Sequence, residues 1–256
     1  MLHHLLTMAI LVFATHGFSA PIIEKNERVE INWTKLRLGF YGFAKPGPLQ
    51  SREDLKLMEK KAWKDGISYI SKKSREIYLS TFEEVDFTVK QLAEYSQDVS
   101  QGIAQSTMST NTVYYPGGGV QVVLESGLTN LFSSRGLKFA QRESGILGST
   151  HYSGIYIKLN KRTNPRVFYR IISEEGKLLF DYRSIAQESF SKVLSGRWLS
   201  APQEHEIEDL IGTQPIVLEA SVVKDGLFQV MRMDWENALL GHKGLLSSGN
   251  ILFGMP

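Results

Sequence analysis

Hydrophobic and polar positions follow two different periods in the first third of the chain. Residues 29–44 alternate in part and are rich in β-branched and aromatic side chains, which predicts a strand or a pair of strands. Gly39 and Gly42 fall inside this stretch and predict a bend or a bulge. From Leu55 to Ile77 the apolar positions recur instead with helical spacing, which predicts a long helix over residues 52–78.

The start of this helix carries its own signal. Lys45–Pro48 is a helix breaker, and Ser51 with Asp54 three residues later is typical of an N-cap. Gly66 inside the helix costs about 1 kcal/mol relative to alanine, so we expect it to permit the close approach of a neighbouring element. Residues 83–104 predict a second helix, acidic where the first is basic.

The remaining pattern predicts short strands joined by tight turns, because β-rich runs alternate with glycine-containing clusters. Since these strands come in hairpins rather than βαβ units, the sequence predicts an α+β fold. We expect two small units of antiparallel sheet with packed helices, and one long helix in the N-terminal unit. The predicted hairpins are 107–124, 167–181 and 216–231, the single strands 154–159 and 250–253, and the short helices 183–195 and 234–240, with Asp234 as a cap.

The first residues are typical of a secretory signal peptide. Leu5–Phe13 is apolar apart from Thr7, and the first twenty residues contain no Asp, Glu, Lys or Arg. The run is shorter than the roughly 20 residues that span a bilayer, and it suits a signal. Cleavage is predicted after Ser19, with a buried N-terminal helix as the alternative. We therefore divide the chain into a signal peptide at 1–19, a domain at 20–135 and a C-terminal domain at 136–256, joined near 133–150.

Composition excludes several classes of function. The chain contains no cysteine, which excludes disulfides, thiolate metal sites, a cysteine nucleophile and an N-terminal lipid anchor on cysteine. Lys and Arg number 29 against 27 Asp and Glu, a balance that argues against a nucleic-acid partner. No later stretch is long and apolar enough to predict a transmembrane span.

The sequence motifs that are typical of catalytic sites are incomplete in this chain. Pro116–Gly119 is similar to the glycine-rich oxyanion loops of esterases, but no G-x-S-x-G elbow accompanies it. His205 and Glu206 begin an H-E-x-x-H pattern in which position 209 is Asp, and His151 and His242 are distant in sequence. We therefore predict no catalytic residue, no cofactor-binding residue, no cofactor and no metal ligand.

One basic run is a candidate for contact with an anionic surface. Within residues 158–170 no acidic residue interrupts the cations, and Asn164-Pro165 places part of the run on a turn. Such a run is suited to lipid headgroups or glycan phosphates at a membrane periphery, while an ordinary solvated loop is the alternative. The five candidate residues are Lys158, Lys161, Arg162, Arg166 and Arg170.

Several short motifs resemble those of the LPP20/FlgP-like bacterial cell-envelope proteins. Ile31–Thr34 is similar to their V-N-W strand, Gly39 and Gly42 to a G-x-G before a helix, and Ala62 with Asp65-Gly66 to an A-x-x-D-A helix. Gly66 stands where that family has alanine. Further segments resemble a following strand and parts of longer members, namely Gly119–Leu124, Tyr152–Ile155, Glu174–Lys177 and Gly212–Ile216.

The resemblance implies a small α+β domain, export to the cell envelope and, in some members, a link to the outer membrane or to flagellar assembly. It supplies no catalytic residues. Because the chain lacks the lipid-bearing cysteine, it resembles a longer, non-lipidated form. We expect a soluble periplasmic or secreted protein that acts by contacts with envelope or flagellar proteins. The alternative is an exported small-ligand binder or hydrolase without a recognisable motif, with its pocket near His151, Tyr152 or Asp234.

Overall fold

The computed structural model describes residues 19–47, 51–81, 99, 101–132, 139, 152–239 and 243–256. Within these residues, one sheet is built before residue 132 and a second after residue 152. Helices accompany antiparallel and mixed sheets, so the predicted α+β class is confirmed. The predicted helix at 83–104 lies outside the described residues, except that 99 and 101–106 are helical. The predicted connection at 133–150 also lies outside them, apart from Phe139.

The first sheet is antiparallel, and its strands lie in the order β1-β2-β3-β5-β4. The predicted strand pair at 29–44 and the hairpin at 107–124 are both confirmed. The edge strand β1 was not predicted because its four side chains are all exposed and give no alternation. The bounds are β1 (Ile23–Asn26), β2 (Val29–Asn32), β3 (Arg37–Ala44), β4 (Met108–Tyr114) and β5 (Val120–Gly127).

Helix α1 (Arg52–Thr81) packs across β3 and β5. Its N-terminus forms as predicted: Asp54 N donates to Ser51 Oγ at 3.1 Å, and the Asp54 carboxylate accepts from Ser51 N at 2.9 Å. Strands β3 and β5 pair without a register shift, so the bulge that Gly39 and Gly42 offered as one of two alternatives is wrong. Gly42 instead lies directly under the helix, where a Cβ would meet Ala62 O at 2.0 Å.

The second sheet is mixed, with strands in the order β8-β7-β11-β10-β6-β12-β9. The hairpins at 167–181 and 216–231 are confirmed, but four pairs are parallel: β6–β10, β6–β12, β9–β12 and β7–β11. The expected purely antiparallel sheet is therefore wrong for this unit. The bounds are β6 (Gly154–Leu159), β7 (Arg170–Ile172), β8 (Leu178–Phe180), β9 (Arg197–Ser200), β10 (Pro215–Lys224), β11 (Leu227–Gln229) and β12 (Ile251–Met255).

Four shorter helices flank this sheet: α2 (Gln187–Val193), α3 (Glu204–Ile211), α4 (Arg232–Leu239) and α5 (Lys243–Ser247). Asp234 lies in the first turn of α4 rather than at its cap, which corrects the prediction. Ile211 of α3 belongs to a small buried cluster with Tyr156, Leu199 and Leu252, so α3 covers part of the outer face of the sheet. No described helix is sufficiently long and apolar to span a bilayer.

Buried side chains from both sheets form one continuous core. Phe132, after the first sheet, makes an edge contact with Phe168 at 5.9 Å between ring centroids. Thr34 Oγ1 donates to Trp198 O at 2.6 Å, and Pro21 forms an isolated β-bridge with Leu199. The segment that enters β1 therefore covers the β9 edge of the second sheet.

Candidate protein interaction surface

One face of the first sheet is covered by α1, and the described residues leave the other face open. Because successive side chains in a strand point to opposite faces, Gly42 under α1 places Tyr41 and Phe43 on the far side. Register then sets their neighbours, since directly paired residues share a face. Tyr41 pairs with Val123 of β5, and Phe43 pairs with Gln121. Strand β4 pairs with β5 on its other side and so adds further side chains beside both of these pairs.

This open face, as we name it, carries exposed apolar side chains alongside the polar side chains of Arg37, Asn111, Gln121 and Glu125. Phe43, Met108 and Val113 are 42%, 69% and 37% exposed, and Tyr115 at the end of β4 is 47% exposed. Contiguous exposed apolar side chains commonly mark a protein interaction site, whereas isolated ones do not. The apolar and aromatic side chains of the open face are those of Tyr41, Phe43, Met108, Val113, Tyr115 and Val123.

Arg28 and Asp65 hold Phe43 in place. Strand pairing between β2 and β3 ends at Phe40, and after one further bond, from Tyr41 N to Arg28 O at 3.1 Å, the next stretch of β3 lacks that neighbour. Arg28 fills the gap: its Nε and guanidinium nitrogen donate to Tyr41 O at 3.0 and 2.7 Å. Asp65 of α1 accepts from Phe43 N at 2.9 Å and also forms an ion pair with Arg28. The Arg28 guanidinium lies 5.0 Å from the Phe43 ring centroid, so the aromatic side chain is presented on a fixed backbone.

Strand β4 forms the uncharged edge of this sheet. Residues 99–124 contain no Asp, Glu, Lys or Arg, while the opposite edge, β1, carries Glu24 and Lys25. Natural edge strands usually carry charge, proline or a bulge against unwanted pairing. Strand β4 has a bulge between Ser109 and Asn111, and Asn111 Oδ1 accepts from Thr112 N at 2.8 Å. The uncharged run was the sequence signal that pointed to this edge, and it was missed.

The loop at Pro116–Gly119 is a tight β connection. Gly118 N donates to Tyr115 O at 2.9 Å, and Tyr115 N donates to Gly119 O at 2.9 Å. Gly118 has φ of 82°, the left-handed conformation that glycine adopts at low cost and that this hairpin turn requires. The backbone groups of this glycine-rich loop are therefore engaged in closing the hairpin.

A groove of about 380 Å³ lies on the second sheet between β6, β10 and β11. Lys158 and Glu219 face each other across it at 3.7 Å, and both side chains are mainly in solvent. Asn160 Oδ1 accepts from Val222 N at 3.0 Å, and Gln229 Nε2 donates to Glu174 O at 3.3 Å. Its polar groups therefore bond mostly to the protein itself, and the groove does not gather a reactive set of side chains.

The predicted basic run is dispersed and partly engaged. Arg162 Nε donates to Pro256 O at 2.9 Å, and the largely buried Arg166 lies 3.7 Å from the Asp225 carboxylate. Lys161 lies exposed after β6, and Arg170 lies exposed on β7. Lys158 faces Glu219. Lys158, Arg162 and Arg166 thus have partners within the chain, and Arg170 is engaged as well.

Asp225 anchors the loop that carries part of this run. Its carboxylate accepts from Thr163 Oγ1 at 2.7 Å and from Asn164 Nδ2 at 2.6 Å. Burial alone would raise the pKa of Asp225, but the donors Thr163 and Asn164 and the charge of Arg166 outweigh it, so the pKa lies below its ordinary value. The loop is therefore tied to the β10–β11 turn.

The residues considered for chemistry are separated or fall outside the described part of the chain. His151 and His242 lie outside it, while Tyr152, His205 and Asp234 are exposed. Glu206 accepts from Gln203 N at 2.9 Å in a capping box. Among the residues that the structure describes, no three His, Cys, Asp or Glu side chains are grouped to hold a metal ion.

No protein-family model matches the chain, and no curated protein gives a significant sequence match. The resemblance to LPP20/FlgP-like proteins thus stays a prediction that rests on the motifs themselves. The described surface offers the open face and the edge of β4 as exposed features that bear apolar side chains.

Proposed function

We propose that the chain is an exported bacterial envelope protein that works through protein contacts rather than catalysis, and that its open face is the contact surface. Its partners would be envelope or flagellar proteins, in assembly at the outer membrane or the flagellum. The observation that carries this proposal is the set of exposed apolar side chains on one sheet face, above all Phe43, Met108 and Val113. The signal-like N-terminus and the motif resemblance support export to the envelope.

The energetics favour a surface of this kind. Removing apolar area from water contributes roughly 25 cal/mol per Å², and large side chains near the centre of an interface usually dominate binding. Phe43 is fixed by Arg28 and Asp65 before any partner arrives. A preorganised side chain loses little conformational freedom on binding, so more of its burial energy appears as affinity.

The alternative, an exported ligand binder or hydrolase, has less support. The groove between β6 and β10 is its best location, but the charged side chains there are mostly hydrated. A ligand site normally encloses its ligand and points a few unpaired polar groups at it. We therefore propose that the contact surface lies on the first sheet and not at this groove.

Export is tested by fractionating cells that make the full-length chain with a C-terminal tag. The processed chain should appear in the periplasmic or culture fraction, shortened by the signal. Leu11→Arg interrupts the apolar run and should leave the chain uncut in the cytoplasm. An unmodified chain that stays cytoplasmic and uncut would overturn the export part of the proposal.

The contact surface is tested by retention of the exported chain in the envelope fraction of its own host. The double variant Phe43→Ser with Met108→Ser should lose retention, because both side chains lie on the open face. The matched control changes two exposed valines of β10, Val217 and Val223, to serine. Equal retention of all three chains would reject the open face as the contact surface.

A further inference from the structure

Among the described residues no strand pairs with the outer edge of β4, and this edge has a defined pattern of backbone groups. Tyr115 N bonds to Gly119 O, and the ladder then pairs Val113 with Gln121. In an antiparallel ladder, residues alternate between bonding to the neighbour and pointing away from it. The backbone groups of Thr112 and Tyr114 therefore point away from β5, toward the edge. Thr112 N is held there by Asn111 Oδ1.

We propose that β4 pairs antiparallel with β4 of a second copy of this chain, about a twofold axis at Val113. Thr112 then exchanges backbone hydrogen bonds with the partner subunit's Tyr114, and Val113 lies opposite the partner subunit's Val113. The two sheets become one, and the two open faces join into a single larger surface. This inference rests on the proposed function, because it makes the second copy part of the contact surface.

The composition of β4 favours its own copy as the partner. A twofold antiparallel pair sets the strand against an identical strand, so any net charge on it would be repeated on its partner and repel it. Strand β4 carries no charged residue from Met108 to Tyr114. Thr112 opposite tyrosine is a β-branched–aromatic pair, and valine opposite valine lies in the closely spaced non-hydrogen-bonded position. These are favourable cross-strand pairs.

The bond from Thr112 N to Asn111 Oδ1 must be broken before β4 can pair, so it adds to the ordinary cost of association. Pairing exchanges this internal hydrogen bond for one to the partner subunit, and the Asn111 side chain must turn outward. An exchange of this kind changes the count of hydrogen bonds little, so the gain comes from the new backbone bonds and the buried side chains. The dimer is therefore expected to depend on protein concentration.

The chain contains no cysteine, so one introduced cysteine reports one position. Non-hydrogen-bonded partners have Cα atoms about 4.5 Å apart, which falls within the range that a disulfide accepts. Purified Val113→Cys should therefore form a disulfide-linked dimer on mild oxidation. Ile23→Cys, on the opposite edge with 39% exposure against 37% for Val113, is the control and should stay monomeric. Equal cross-linking of both variants, or of neither, overturns the proposal.

Sedimentation of the cysteine-free chain gives an independent test. The unmodified chain should form dimers as concentration rises, and Val113→Lys should raise the dimer Kd by on the order of tenfold or more, because two like charges then lie opposite each other. Ile23→Lys should leave the Kd unchanged. A monomer at every concentration, or a dimer insensitive to Val113→Lys, contradicts the pairing. If envelope retention still requires Phe43 and Met108, the proposed function survives that failure.

Discussion

Gly42 of β3 and Gly66 of α1 face each other where the helix crosses the first sheet. A Cβ on Gly66 would lie 3.2 Å from Gly42 Cα and 2.6 Å from Leu124 Cδ1. A Cβ on Gly42 would lie 2.0 Å from Ala62 O, an impossible contact with rigid helix backbone. The helix can therefore rest on the strand only because both positions lack a side chain, as was expected for Gly66.

Gly42→Ala should destabilise the fold, because the helix must move away from β3 to make room. Overpacking of this kind costs about 1–3 kcal/mol or more. Gly66→Ala should cost less, since the end of the Leu124 side chain can yield and alanine favours the helix by about 1 kcal/mol. Urea denaturation of each variant measures the free energy of unfolding from the midpoint at constant slope.

Gly117→Ala is the matched control for these variants. Nothing lies within 4 Å of a Cβ at that position. Its midpoint should match that of the unmodified chain. A Gly42→Ala midpoint equal to the control's would show that the helix does not lie directly on the strand.

Asp65→Ala should cost about 1–2 kcal/mol of folding stability. The substitution removes the acceptor of Phe43 N and the partner of Arg28. Bonds to charged groups are worth roughly 1.5–3 kcal/mol, and the partial exposure of Asp65 reduces that figure. The comparison is Glu30→Ala, which removes the solvent-exposed ion pair with Lys25 and should cost less than Asp65→Ala. Thermal unfolding measures the folding stability that each variant loses. Equal losses of stability would contradict a bridging role for Asp65.

Stability should fall in acid partly through Asp225. Its pKa is lowered in the folded state, so its contribution is present above the ordinary value of 3.8 and is lost as pH falls through the lower folded-state pKa. Asp225→Asn removes this titration, and its free energy of unfolding should change less steeply with pH. Urea titrations between about pH 5 and pH 2.5 measure the two slopes. Identical slopes would show that Asp225 is not held by Thr163 and Asn164.

Local patterns in the sequence predicted those parts of the fold that are themselves local. The N-cap at Ser51, helix α1 and the turn at Gly118 depend on neighbours within a few residues, and each forms as expected. The parallel pairing of β6 with β10 and β12 joins segments far apart in sequence, so no local turn signal predicts it. Strands β6 and β12 are buried over nearly their whole length, which is typical of parallel strands.

The surfaces were harder to predict than the elements. The basic residues of 158–170 are neighbours in sequence, and this alone groups them. Arg166 nevertheless lies against Asp225, which belongs to the distant turn between β10 and β11. The open face alternates with buried residues along β3 and β5, so its side chains resemble those of an ordinary strand. The sequence pattern does not tell which face of the sheet α1 covers. The structure is needed to show that α1 lies over Gly42 and leaves Phe43 exposed.

According to the proposed function, the exported chain binds its partners through the open face. A photo-cross-linking amino acid placed at Phe43 in intact host cells tests it most directly, with the same group at Val223 of the second sheet as control. The proposed function predicts discrete cross-linked envelope proteins from position 43 after irradiation, and none of these species from position 223. An identical pattern from both positions, or no adduct from position 43 in a correctly exported chain, would contradict it.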